Sequence, residues 1–206
     1  MNNTKHIQTI LLLGALWGIA EATIGHLLHF LPCGFSGMVM FPIGFYFMYN
    51  AYLTTDKKSA VLATGIIAAS IKFIDFILPM KSPMGIINPA MSIVLESLVV
   101  YGFLKVFASK KSFSYTFGLG LSWVVLFTLA QAVIFRPAAG LYLAPLLQMV
   151  GFILMNGIVS GFLVGLYLQK EAAITFRPIV KRASFLLPAL TVLLAALLEI
   201  GNSIIF

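Results

Sequence analysis

The chain has 206 residues, of which 61% are apolar and only 9% charged, and thirteen Lys and Arg against six Asp and Glu leave it at +7 with His neutral. A soluble domain carries roughly 45–50% apolar and about 25% charged residues. Composition therefore excludes a water-soluble globule, a disordered chain and a collagen-like one, and leaves a polytopic membrane protein.

A helix needs about 20 residues to cross the hydrocarbon. Seven stretches qualify, at roughly 7–31, 35–54, 59–79, 86–108, 113–135, 141–169 and 183–205. Leu31-Pro32-Cys33-Gly34 ends the first, the polar run Thr54 to Lys58 the second, and the proline-bracketed Pro79-Met80-Lys81-Ser82-Pro83 the third. Ser109-Lys110-Lys111-Ser112 and Arg136-Pro137 close the fourth and fifth, and a mixed-charge linker from Lys170 to Arg182 precedes the last. The first stretch is longer than a signal-peptide core and lacks a cleavage site, so it is read as retained. The expectation is an all-α bundle of about six to seven transmembrane spans, a single integral membrane domain over residues 1–206. The lone cysteine, Cys33, excludes an internal disulfide and any CxxC framework.

Loop charges set the orientation. With the N-terminus cytoplasmic, Lys5, Lys57, Lys58, Lys105, Lys110, Lys111, Lys170, Arg177, Lys181 and Arg182 lie inside. Only Lys81 and Arg136 lie outside, and Lys72 falls within a span. This is a positive-inside pattern. It accounts for the +7 without nucleic acid, which is not an expected partner.

Ionisable groups within hydrocarbon are costly and mark function by default. Four of the six acids lie in spans: Glu21, Asp75, Glu96 and Glu199. In the N-inside orientation they fall between midplane and outer surface, together with His26, His29, Lys72, Asn88, Ser92, Gln131, Arg136, Gln148, Asn156 and Asn202. A channel needs polar lining through the full depth, whereas a pocket open to one side needs it on that side only. The pattern points to an outward-facing binding cavity above an apolar floor. The plainer alternative is hydrogen-bonded glue between helices.

Asn88, Ser92 and Glu96 recur every four residues and share one helix face. Glu21 shares a face with Gly25 and His29, about 12 Å deeper than His29 by helical rise. His26 and His29 stand one turn apart and form a candidate metal pair, with Cys33, Met38 and Met40 following; interfacial wetted histidines are the alternative. Lys72 and Asp75, also one turn apart, are expected to pair with each other. Glu96 has no cation nearby in its own helix, so a partner or ligand from another span is expected unless the carboxyl is neutral. Gly14, Gly18 and Ala22 form a small-residue ridge that packs within the bundle or docks another membrane subunit.

The chain resembles the substrate-binding S components of energy-coupling factor transporters, the prokaryotic uptake systems for vitamins and metals. The resemblance rests on size, hydropathy, N-inside topology, the ridge on span 1, and Ile87-Asn88-Pro89-Ala90-Met91-Ser92 at the start of span 4. Asn156-Gly157-Ile158-Val159-Ser160-Gly161 in span 6 is similar to the small-residue late helix of those proteins. It implies capture of a small molecule from outside by a protein that docks through span 1 onto a transmembrane coupling subunit driven by two cytoplasmic ATPases. A seventh span, and the lack of the N-terminal metal-binding sequence of nickel and cobalt members, depart from the family pattern.

The leading expectation is thus a multi-pass cell-membrane subunit that binds a vitamin, corrinoid or metal species. Its ligand contacts are expected from Glu21, His26, His29, Asn88, Glu96, Gln131, Gln148 and Asn156. No resident cofactor is expected. No GxxxxGK[ST] loop is present, so energy must come from partners. The alternatives are an intramembrane metal- or carboxylate-dependent enzyme, disfavoured because HExxH and GxSxG are absent, and a secondary transporter coupled to protons through Glu21, Glu96 and Glu199.

Overall fold

A computed structural model describes residues 3–28, 35–77, 83–107, 112–136, 140–170 and 186–205. These form seven long helices. Helix α1 runs over Asn3–Leu28 with a π-helical stretch at Glu21–Gly25, and α2 over Phe35–Thr55. Helix α3 covers Ser59–Lys72 and tightens into a 3-10 turn at Phe73–Ile77; α4 covers Pro83–Phe107. Helix α5 covers Phe113–Ala130 and widens into a second π-helical stretch at Gln131–Phe135. After a short 3-10 turn at Leu141–Leu143 come α6, Leu146–Lys170, and α7, Leu186–Ile205.

The elements fall where the apolar runs place them to within a few residues: α1 begins at Asn3, four residues earlier than expected, and α6 at Leu146, five residues later, behind a separate 3-10 turn. Pro83 opens α4 instead of separating it from the preceding turn, because proline suits the first helical position, where its missing N–H is not needed. Asp56 makes the turn from α2 to α3 in the left-handed region, at φ 57°, a conformation Asp tolerates better than most residues.

Six of the seven helices are long and apolar enough to cross a membrane. Helix α2 is not among them, although it has 21 residues. Tyr46, Tyr49, Asn50, Tyr52 and Thr54 lower its apolarity. The packing explains why that is tolerated: α2 is the central helix, touching α1, α3, α4 and α6, and none of its residues from 36 to 55 is exposed. A helix enclosed by protein has no need of an apolar outer face.

The main core surrounds α2, with Phe41, Phe45, Met48 and Tyr49 meeting Trp17, Val61, Ile93, Val100, Trp123 and Val164. Helices α5 and α6 pack most extensively. A methyl group on Gly120 would strike the backbone of Gly157, and one on Gly161 the backbone of Thr116 and Phe117, so the glycines bring the two backbones together. The ridge on α1 is used in the same way. A Cβ at Gly14 would lie 2.7 Å from Ile67 of α3 and one at Gly18 2.5 Å from Ile71, while Ala22 is 2% exposed. Of the two roles expected for the ridge, packing within the bundle is the one seen at Gly14 and Gly18, where α3 occupies it.

Helix α7 lies at the periphery against α1, and its amphipathicity is inverted. Thr191, Ala195, Glu199 and Ser203, each four residues from the next, are buried, whereas Leu186, Leu190, Leu193, Leu194 and Leu197 point outward.

Candidate functional site

The buried acids Glu21, Asp75, Glu96 and Glu199 gather at one end of the bundle. This end holds the late parts of α1, α3, α5 and α7 and the early parts of α2, α4 and α6. Cross-helix contacts fix the arrangement. Asn202 of α7 donates to the Ala22 carbonyl of α1, Gln131 Nε2 of α5 donates to Asn88 Oδ1 of α4 at 3.0 Å, and Ser160 Oγ of α6 donates to the Met38 carbonyl of α2 at 3.3 Å. The last contact follows from sequence: Pro42 lies inside α2 and has no N–H to offer the carbonyl four residues back, so a hydroxyl from another helix takes that place.

Two clusters are distinguishable. The first joins α1, α3 and α7. Lys72 Nζ bonds Glu199 Oε1 at 2.7 Å, and Ser203 Oγ donates to Asp75 Oδ1 at 2.6 Å. The expected Lys72–Asp75 pair is therefore replaced by two contacts to α7, which brings Glu199 and Ser203 onto the end of α3. This explains the inverted face of α7: its polar residues neutralise groups that α3 carries into the interior.

The second cluster lines one face of α2, where Gly37, Phe41 and Gly44 succeed one another at intervals of four and three residues. Deep in it, Trp17 Nε1 donates to Glu21 Oε1 at 3.2 Å, and Ser92 Oγ donates to Glu96 Oε1 at 3.0 Å. Gly44 admits both walls: a Cβ there would lie 2.5 Å from the Trp17 ring and 3.1 Å from Glu96 Oε2. Nearer the start of α2, a Cβ on Gly37 would lie 3.1 Å from the Trp123 ring and 4.0 Å from Asn156 Oδ1. Between the two glycines, Phe41 stacks on Trp123 with centroids 5.4 Å apart.

Several polar atoms here are buried and make no hydrogen bond with the described residues: Glu96 Oε2, Gln131 Oε1, Asn156 Oδ1 and Trp123 Nε1. Each such group costs about 1–3 kcal/mol unless it finds a partner. Three of the four are acceptors. Glu96 is 2% exposed and Asn156 1% exposed, so the site is closed in this conformation and not an open bowl.

Of the residues expected to contact ligand, Glu21, Asn88, Glu96, Gln131 and Asn156 are thus brought to one end, on four helices. Glu21 and Gln131 each begin a π-helical stretch, a feature frequent at functional sites because it re-aims side chains. Gln148 does not join them: it lies on the exposed face of the first turns of α6. His26 is half-buried near the end of α1; His29 and Cys33 lie outside the described residues. Among the described residues no three His, Cys, Asp or Glu side chains converge as a metal set. Sequence reasoning passed over Trp17 and Trp123 as site residues. For Trp17 a signal existed, since it stands four residues before Glu21 and a buried indole N–H seeks an acceptor.

Comparison of the chain with protein-family models, curated proteins and solved structures yields no match.

Proposed function

We propose that this is a multi-pass membrane protein, N-terminus cytoplasmic, that captures a small molecule in the polar cluster at the outer end of its bundle. It would act as the substrate-binding subunit of an uptake transporter similar to the S components of energy-coupling factor systems. The observation that carries this reading is the gathering of the four buried acids at one end of the bundle, with the unpartnered oxygens of Glu96 and Asn156 set against α2. Hydrocarbon as the surrounding medium accounts for the outward leucines of α7, which would be untenable as a patch in water. The opposite end carries Lys57, Lys58, Lys105 and Lys170, with the Lys105 ammonium 4.7 Å from the centre of the Tyr101 ring. A cytoplasmic face has this basic character.

Because α3 fills the ridge of α1, a coupling subunit would meet other surfaces, such as the outward faces of α6 and α7. The protein holds no nucleotide-binding loop, so ATPases joined through that subunit would supply the energy.

Purification of the full chain from native membranes, followed by denaturation and mass spectrometry with metal analysis, tests the capture role. A stoichiometric vitamin, corrinoid or metal species supports it. Repeated absence of any bound species, together with substrate turnover by the isolated chain, would replace it with the enzyme reading. Orientation is tested without engineering, since Cys33 is the sole cysteine: a membrane-impermeant maleimide should label it in intact cells, and labelling only after lysis reverses the map.

A further inference from the structure

Among the described residues, the buried charges of the polar end are unbalanced. Glu21, Asp75, Glu96 and Glu199 are buried there, and the cation set among them is Lys72, bonded to Glu199. Asp75 has Ser203 as its donor and Glu21 has the Trp17 indole. Glu96 receives a single hydroxyl, from Ser92, and its second oxygen receives nothing from the described residues. A carboxylate in low dielectric calls for a counter-charge or several donors.

The neighbouring groups repeat the demand. Asn156 spends its amide N–H on the Phe152 carbonyl at 3.1 Å and leaves Oδ1 without a donor. Gln131 spends its own on Asn88 and likewise leaves Oε1 without a donor. Both residues are more than nine-tenths buried. Asn156 Oδ1 lies along the same face of α2 as Glu96 Oε2, whereas Gln131 Oε1 lies toward Gly140, and the Trp123 indole N–H is a buried donor with no acceptor among the described residues. Aromatic rings complete the walls: Trp17 packs against Gly44 beside Glu96, and Phe41 stacks on Trp123 one turn away.

We propose that this site takes a small organic cation that carries N–H donors, its positive charge set against Glu96 and a donor against Asn156. The proposal rests on the capture reading and narrows it to a ligand class: an anion would be set against the Glu96 carboxylate, and a neutral ligand would bring it no counter-charge.

The chain's only two tryptophans, Trp17 and Trp123, both line the site, so emission excited selectively from tryptophan, and not from tyrosine, reports on it. The full chain in detergent or nanodiscs is titrated with benzamidinium, benzamide and benzoate, three probes of nearly one shape carrying positive, neutral and negative charge. Saturable perturbation of the emission by benzamidinium is expected, at least tenfold tighter than by benzamide and with no response to benzoate. E96Q should weaken benzamidinium at least tenfold. N156A, which removes an acceptor without touching the charge, should weaken it severalfold; thermal melting of each variant shows that the bundle is retained. Binding of benzamide or benzoate as tight as that of benzamidinium, silence toward all three, or unchanged affinity in both variants overturns the cation assignment. The capture reading stands or falls separately, on the species that co-purifies.

Discussion

The Lys72–Glu199 pair offers the sharpest test of the packing. The two groups are 2.7 Å apart, and Glu199 is wholly buried while the Lys72 side chain is 13% exposed. Removing one member leaves the other charge uncompensated in the interior, a loss of about 3–5 kcal/mol. Replacing both with apolar residues of similar volume removes the uncompensated charge and is often neutral or stabilising. An ordinary interhelical hydrogen bond within a membrane averages only about 0.6 kcal/mol. The expected order is therefore K72M and E199L, each strongly destabilised; S203A, which removes one donor from Asp75, mildly so; and K72M/E199L restored to near the parent. Reversible unfolding in mixed micelles, read by circular dichroism and analysed as a double-mutant cycle, measures it. Two results would refute the reasoning: a double variant no better than the worse single one, or D75N destabilising as much as E199L with S203A silent. The second result would mean that Lys72 pairs with Asp75, as the spacing within one helix suggests.

Other substitutions probe the helix contacts and the site. G120A should destabilise by about 1–3 kcal/mol through overpacking, since its methyl group meets the Gly157 backbone, while G151A should be neutral because nothing lies within 4 Å of the added carbon; equal melting points for the two would contradict the α5–α6 packing. G44A drives a methyl group into the Trp17 ring 2.5 Å away and toward Glu96, so it should shift tryptophan emission and weaken benzamidinium together. An unchanged spectrum would separate Gly44 from the site. Q148A, by contrast, alters an exposed side chain and should leave ligand affinity within twofold, as measured in the same titration.

The sequence by itself placed the seven apolar helices, with their described ends to within a few residues, because proline, glycine and charge clusters interrupt apolar runs locally, where no tertiary contact is required. It also placed Glu21, Asn88, Glu96, Gln131 and Asn156 at one end, since successive helices reverse direction and each residue's depth follows from its position along its own helix. What depth leaves undefined is the rotation of each helix about its axis and the identity of its neighbour. Only the tertiary structure decided that Lys72 meets Glu199, 127 residues away, that the Gly14–Gly18 ridge is spent on α3, and that Gln148 faces outward. It also decided that α2, the least lipid-like of the helices, stands at the centre, where tyrosine and asparagine are paired by surrounding protein and need no hydrocarbon around them. Spacing within a helix orders the residues along a line; which line they face is a matter of packing, and packing is where both indoles, both glycines of α2 and the unsatisfied oxygens of the site come together.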